Sequence, residues 1–410
     1  FASTRDLFSE LDMVFFDTTS IYFEGAGSET IGAHGHSKDH RPDLKQLVFG
    51  LNVTADGAVP ISHDVFSGNR TDDTIHRGNV DRLRQILRRT DFVYVADSKL
   101  ATRKNLDHVA KYGGKFVTVL PRTLAEDKRF RKSLREGISA RWRKLLKIEN
   151  HRRKSDPPDV YYSTADGPGE TSEGYRIVWI RSSQKTELDA LARQTSLEKA
   201  EVELFDLNTR LNLGKLRKRP AIHKKVKHIL AKHNCRRFLE VRIASQTHIQ
   251  TKRLRRGRPR KDDPVKQVRS HVYHLQVRRK KEVIRAEART DGAFSLTTNL
   301  KTVEVPKKEV LLIYKYQPYV EKRHALFKSE LEVAPVYIKK PLRAVGLLHA
   351  VFLAMTLDAL IERTVRLGMI RDGIEALPIL PEGRNTKTPT TARILEMFSD
   401  VCWYEFERGD

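Results

Sequence analysis

Met13-Val14-Phe15-Phe16-Asp17-Thr18-Thr19 decides how the rest of the chain is read. Four consecutive apolar residues read as a short buried strand, and the run stops on a carboxylate. The pattern recurs at Phe92-Val93-Tyr94-Val95-Ala96-Asp97. Between the two lies a β-rich run from Lys45 to Thr54, an Asp56-Gly57 hairpin signal and a return strand from Ala58 to Phe66. Asp72 or Asp73 then caps a helix with Ile75, Val80, Leu83, Ile86 and Leu87 on one face. A helix over 102–111 and a strand over 115–120 follow Asp97. A hairpin meander joined to βα units predicts an α/β fold with a mixed sheet flanked by helices. Both carboxylates then lie at strand ends, where such sheets present their ligands.

From about Leu124 the chain becomes long, strongly charged and, over 187–239, helical in pattern. It carries the basic clusters Lys215, Arg217, Lys218, Arg219 and 252–261, with a period-two stretch at Val272 to Val277. Sheet character resumes at Gly292 to Asn299. The expected organisation is a first core segment (1–123), a large, mostly helical insertion subdomain (124–287), a second core segment (288–366) and a C-terminal tail (367–410).

The 410 residues hold 77 Lys and Arg against 52 Asp and Glu, a net charge of +25. A surplus that large favours a polyanionic partner, and nucleic acid is the usual one; a merely basic soluble protein is the plain alternative. Cys235 and Cys402 are the two cysteines and are far apart, which removes a disulfide scaffold or a cysteine-ligated zinc site and fits a reducing cytoplasm. A long apolar helix is expected from Leu342 to Arg366, and its most apolar stretch, Ala344 to Leu357, reads as a buried core helix too short to span a bilayer. No membrane partner is expected. The chain opens on Phe1 just before a strand, so an upstream segment is expected.

A carboxylate at an apolar strand end is poorly solvated, and two placed together repel unless a cation neutralises them. A third carboxylate completes a hard oxygen site of the Mg²⁺ type, and two such ions suit phosphodiester chemistry. Taken singly, Asp17 or Asp97 is most often just a strand-end residue. Glu321 lies in Tyr314-Lys315-Tyr316-Gln317-Pro318-Tyr319-Val320-Glu321, and Lys328 follows seven residues later. Seven residues are two turns, so both fall on one helical face, with Pro318 at the first helical position and Tyr314 just before the helix. A solvated Glu/Lys face gives the same pattern.

The combination resembles the DDE transposases of insertion-sequence family four, marked by Tyr-x2-Arg-x3-Glu-x6-Lys. Tyr314, Glu321 and Lys328 match that spacing, and Gln317 stands where the family has Arg. Phe16-Asp17-Thr18-Thr19, the block from Gly35 to Gln46, Gly68-Asn69-Arg70, Ala96-Asp97 and Gly292 to Asn299 are similar to that family too. The resemblance implies an RNase H-like core interrupted by a subdomain before its last catalytic helix. It implies that Asp17, Asp97 and Glu321 are catalytic and bind two Mg²⁺ ions, with Mn²⁺ as a substitute. Tyr314, Gln317 and Lys328 then stand at DNA-contacting positions, although Gln317 lacks the charged fork of Arg. The implied activity is cleavage at transposon ends followed by strand transfer. The partners are double-stranded DNA, both transposon ends and target, and a second copy of the chain in a homodimer. The setting is a prokaryotic cytoplasm, at the nucleoid. The rivals are a truncated, inactive DNA-binding remnant and a metal-dependent nuclease on the same fold.

Arg255-Arg256-Gly257-Arg258-Pro259-Arg260-Lys261 resembles an AT-hook, which lays Arg into a narrow minor groove. It reads equally as a solvated basic loop. His34, His36 and His40 read as polar hairpin residues, since Gly and Ser separate them and no Cys accompanies them.

Overall fold

The computed structural model describes residues 11–149, 157–253 and 265–402. Two compact units divide the chain: residues 1–124, 168–178 and 295–410 form one, and residues 125–167 with 179–294 form the other.

The first unit opens with β1 (Met13–Tyr22), β2 (Gln46–Thr54) and β3 (Pro60–Ser67). Then come α1 (Asp72–Leu87), β4 (Val93–Ala96), α2 (Arg103–Ala110) and β5 (Lys115–Val119). β1 pairs antiparallel with β2, β2 antiparallel with β3, β1 parallel with β4 and β4 parallel with β5. β1 is longer than the apolar run alone indicates. The β-branched Thr18, Thr19 and Ile21 keep the backbone extended, and β2 pairs with it as far as Tyr22. α1 starts after Thr71, and neither aspartate is its cap residue.

The second unit holds α3 (Ala125–Arg135), β6 (Arg143–Ile148) and β7 (Asp159–Thr164). β8 (Arg176–Ser182), α4 (Ser183–Thr209), α5 (Arg219–Lys232), β9 (Leu239–Arg253), β10 (Val265–Arg279) and α6 (Lys281–Ala288) follow. Its core packs Leu197, Ala200, Leu204 and Leu207 of α4 against Ile222, Val226 and Ile229 of α5. The spacing of three and four residues on both helices is what makes one face apolar. This segment was expected to be mostly helical, but β9 and β10 form a long antiparallel ribbon. Its Thr, Val and His residues favour extended backbone, and they follow no helical period.

The chain returns to the first unit through β11 (Ala293–Thr298), whose Leu296 to Thr298 pair with β5. α7 (Lys307–Lys315), α8 (Pro318–Ser329), α9 (Pro341–Arg371), β12 (Leu377–Leu380), β13 (Arg384–Thr386) and α10 (Thr391–Glu396) complete it. Its sheet therefore runs in the order β3-β2-β1-β4-β5-β11, a mixed α/β arrangement. Side chains of a strand alternate between faces. Val14 and Phe16 of β1, with Tyr94 and Ala96 of β4, join Leu83, Leu87, Leu106 and Val109 of α1 and α2 in one core.

α9 corrects the reading of the apolar stretch as short and buried. It is 31 residues long, enough by length and composition to cross a membrane, and only 22% of its most apolar window is buried. Leu342, Leu353 and Leu357 are exposed. The long helix expected over Leu342 to Arg366 is present, and Asp358, Glu362, Arg363 and Arg366 lie inside it. Those charges find partners: Glu362 accepts from Arg323 of α8 and from Arg366, each at 2.8 Å. Arg323 also donates to the carbonyls of Gly57 and Ala58 in the β2–β3 turn. The buried ionic cluster thus ties α8 and α9 to the sheet.

Candidate active site

The parallel pairing of β1 with β4 aligns Met13 with Val93, Val14 with Tyr94 and Phe15 with Val95. Asp17 and Asp97 each lie two residues beyond the last aligned pair. They therefore stand at the same level on neighbouring strands. They share the parity of Phe15 and Val95, opposite to the face that Val14, Phe16, Tyr94 and Ala96 present to α1 and α2. On the carboxylate side, Phe15 packs against Tyr316 with ring centroids 4.8 Å apart.

Each aspartate is held by its backbone neighbourhood. The Asp97 carbonyl accepts from Thr118 Oγ1 of β5 at 2.6 Å, and its carboxylate accepts from the Lys99 backbone N–H at 3.0 Å. The second contact turns the chain away from β4. The residue before Asp17 is held by α8: the buried Gln317 donates its amide to the Phe16 carbonyl at 3.0 Å. Gln317 thus reaches inward to β1, with its amide nitrogen engaged by the Phe16 carbonyl. An arginine fork would seek charge, whereas the amide suits a neutral carbonyl.

Pro318 occupies the first turn of α8 as expected, and Tyr314, just before that helix as expected, lies in the last turn of α7. The Tyr314 hydroxyl is pushed up to about 12 by burial and then by the charges of Asp97, Glu321 and Asp17. All three carboxylates therefore act on one hydroxyl. Glu321 is itself raised, by partial burial and by Asp17, and Lys38 opposes that rise.

Three further residues enter the site that the sequence reading did not single out. Lys38 brings its ammonium to 3.9 Å from Asp17 Oδ1 and donates to the Thr18 carbonyl. Its own backbone N–H donates to Ser20 Oγ at 2.8 Å, which pins the loop on β1. His324, one turn after Glu321, is buried with Nε2 at 3.9 Å from Asp17 Oδ2. Burial, aided by the Lys38 charge, lowers it to about 3, so the ring is neutral at physiological pH. Asp39 accepts from Lys328 Nζ at 2.5 Å. Lys38 and Asp39 lie in the block Gly35 to Gln46, where sequence pattern marked the stretch but could not say which side chains turn inward.

The donor chemistry suits Mg²⁺: three oxygen-only carboxylates with mutual repulsion and no sulfur ligand nearby. The side chains as placed are not gathered into a ligand cage. Among the described residues, no group of three or more His, Cys, Asp or Glu side chains could hold a metal ion. Lys38 places a positive charge 3.9 Å from Asp17 Oδ1. Arg255, Arg256, Arg258, Arg260 and Lys261 lie outside the described residues.

No family model matches the chain, and no curated protein matches it. Among solved structures, one similar chain is a piggyBac transposase in a synaptic complex with hairpin DNA, at 12% identity and a TM-score of 0.27. The likeness covers 43% of this chain and 34% of that one, so this chain spans about a third of that transposase's length. A score that low carries no argument about fold or function.

Proposed function

We propose that the chain is a DDE-type transposase with an RNase H-like core, which cleaves DNA at the ends of a mobile element and joins them to target DNA. The observation that carries this reading is the register of β1 with β4, which puts Asp17 level with Asp97 at the edge of their pairing. The strand order β3-β2-β1-β4-β5, with the first three antiparallel and the rest parallel, supports the core assignment. Asp17, Asp97 and Glu321 would hold the Mg²⁺ ions, which when bound supply Lewis acidity and an acidified water for phosphodiester cleavage.

The chain's own residues supply the rest. Tyr314 keeps its proton at neutral pH and so can donate to a phosphate oxygen. Lys328 offers a phosphate the charge that it now gives to Asp39. Gln317 holds the strand that carries Asp17 against α8. The basic excess of the chain favours duplex DNA as substrate.

A second reading, DNA binding without catalysis, is favoured by the open spacing of the carboxylates. One experiment separates the two. Duplexes carrying the inverted repeats that flank the coding region are incubated with the chain in Mg²⁺, beside Asp97→Asn. Cleavage by the parent and none by the variant, with DNA binding retained by both, is the expected result. Equal cleavage by both would exclude this mechanism, and cleavage by neither would leave the binding protein.

A further inference from the structure

β9 and β10 pair without interruption from Leu239↔Arg279 to Arg253↔Val265. Only the base of this ribbon has a core to rest on: Val241, Ile243, Tyr273 and Leu275 pack against α4 and α5. From Ser245 to Thr251, and on the partner strand from Lys266 to Val272, nearly every residue is exposed, on both faces. A two-stranded hairpin without a core is marginal in water. The outer half extends roughly 20–23 Å at the rise of a β-strand.

Its chemistry is selective. Across the two strands one residue is acidic, Glu240, and it sits at the base. In the antiparallel register, Gln246 faces Val272, His248 faces Ser270 and Gln250 faces Val268. Residues directly opposite share a face, and alternate residues along a strand do too. Gln246, His248, Gln250, Ser270 and Lys266 therefore line one side, and Arg269 lies on the other. Elsewhere in this unit several cations have acidic partners: Arg193 pairs with Asp291, Arg279 with Glu201 and Lys185 with Asp189. Lys266 and Arg269 have no acidic partner among the described residues.

We propose that the outer half of the β9–β10 ribbon is a DNA-reading arm that lies in the major groove of a duplex. The groove is about 12 Å wide and admits a two-stranded ribbon. The glutamine amides supply the paired donor and acceptor that an adenine edge requires, and Lys266 and Arg269 reach the flanking phosphates. The uncompensated positive charge makes a polyanion the complementary occupant, and the exposed amides on one face favour a duplex groove over a bare phosphate surface. The partner rests on reading the chain as one that acts on DNA; the arm itself stands outside the carboxylate site.

The test is duplex binding by fluorescence anisotropy in EDTA, where metal-dependent cleavage plays no part. Failure of the arm then leaves the catalytic reading standing, and an inactive carboxylate site leaves the arm standing. Lys266→Glu with Arg269→Glu, at exposed positions, is expected to melt like the parent. It should bind at least tenfold more weakly at moderate salt and lower the salt slope by about 2, at roughly 0.9 per neutralised phosphate. Gln246→Ala with Gln250→Ala should weaken binding severalfold and leave the slope unchanged. Duplexes whose cytosines carry glucosylated hydroxymethyl groups, which fill the major groove, should bind severalfold more weakly than plain ones. Parent-like affinity and slope in the charge variant, indifference to the glucosyl groups, or tighter binding to single-stranded RNA of equal length would each overturn the proposal.

Discussion

Gln317 Nε2 donates to the backbone carbonyl of Phe16 at 3.0 Å, one residue before Asp17. The helix that carries Glu321 is thereby joined to the strand that carries Asp17 through a neutral hydrogen bond in a buried setting. Gln317 is thus a structural link between two parts of the site. Gln317→Leu keeps the volume and removes the donor. It is expected to lower stability by about 1–2 kcal/mol, the cost of leaving a buried polar group unpaired. Cleavage should fall further than binding, because Asp17 loses its alignment with α8. Urea unfolding and a cleavage assay check both, and an unchanged midpoint would show that the link contributes nothing.

Glu362 stands between Arg323 and Arg366, with the Arg323 and Glu362 side chains both more than nine-tenths buried. Replacing it leaves a buried guanidinium without its anion. Glu362→Ala should cost about 3–5 kcal/mol, the usual penalty for breaking a buried pair from one side. A loss below about 1 kcal/mol in denaturant titration would mean that Arg323 is satisfied by the Gly57 and Ala58 carbonyls alone.

Acid should destabilise the first unit. Burial, with the nearby His349 adding to it, lowers His63 to about 4, and burial lowers His324 to about 3. Unfolded histidine titrates near 6.5. Below that pH the unfolded chain takes up protons that the folded chain refuses, so stability falls as pH drops from about 6.5 towards 4 and 3. His63 is partly open to solvent, so its share is discounted, and the pair together contributes on the order of 5 kcal/mol. His324→Gln should make this acid slope shallower in thermal melts taken across the window. An identical slope would show that the loss arises elsewhere.

The basic run Arg255 to Lys261 lies outside the described residues, and its role rests on sequence. Arg256→Ala, Arg258→Ala and Arg260→Ala together should weaken duplex binding and lower the salt slope by roughly 0.9 for each phosphate no longer neutralised. The weakening should be larger on A/T-rich duplexes, whose narrow minor groove attracts arginine. An unchanged slope would reduce the run to a solvated loop.

The sequence by itself pointed to the strands that lead into Asp17 and Asp97, because their apolar runs are short, aromatic and β-branched, and stop on a carboxylate. It also determined the start of α8 at Pro318 and the placing of Glu321 and Lys328 two turns apart, since both follow from local backbone chemistry. Local pattern could not say which strands would lie side by side. The level placement of Asp17 and Asp97 depends on a parallel register between segments 80 residues apart, and only tertiary packing sets it. The same holds for Gln317 turning inward, for Lys328 meeting Asp39 and for the approach of Lys38 and His324 to Asp17. The long helix over Leu342 to Arg366 was legible in sequence, but not that so much of it stays exposed, nor that its charged residues are neutralised by partners on α8 and in the β2–β3 turn. The β9–β10 ribbon showed in sequence only in part, as the period-two stretch at Val272 to Val277. Exposed on both faces, its outer half has no apolar alternation to betray a strand, and its pairing comes from the backbone of the neighbouring chain segment.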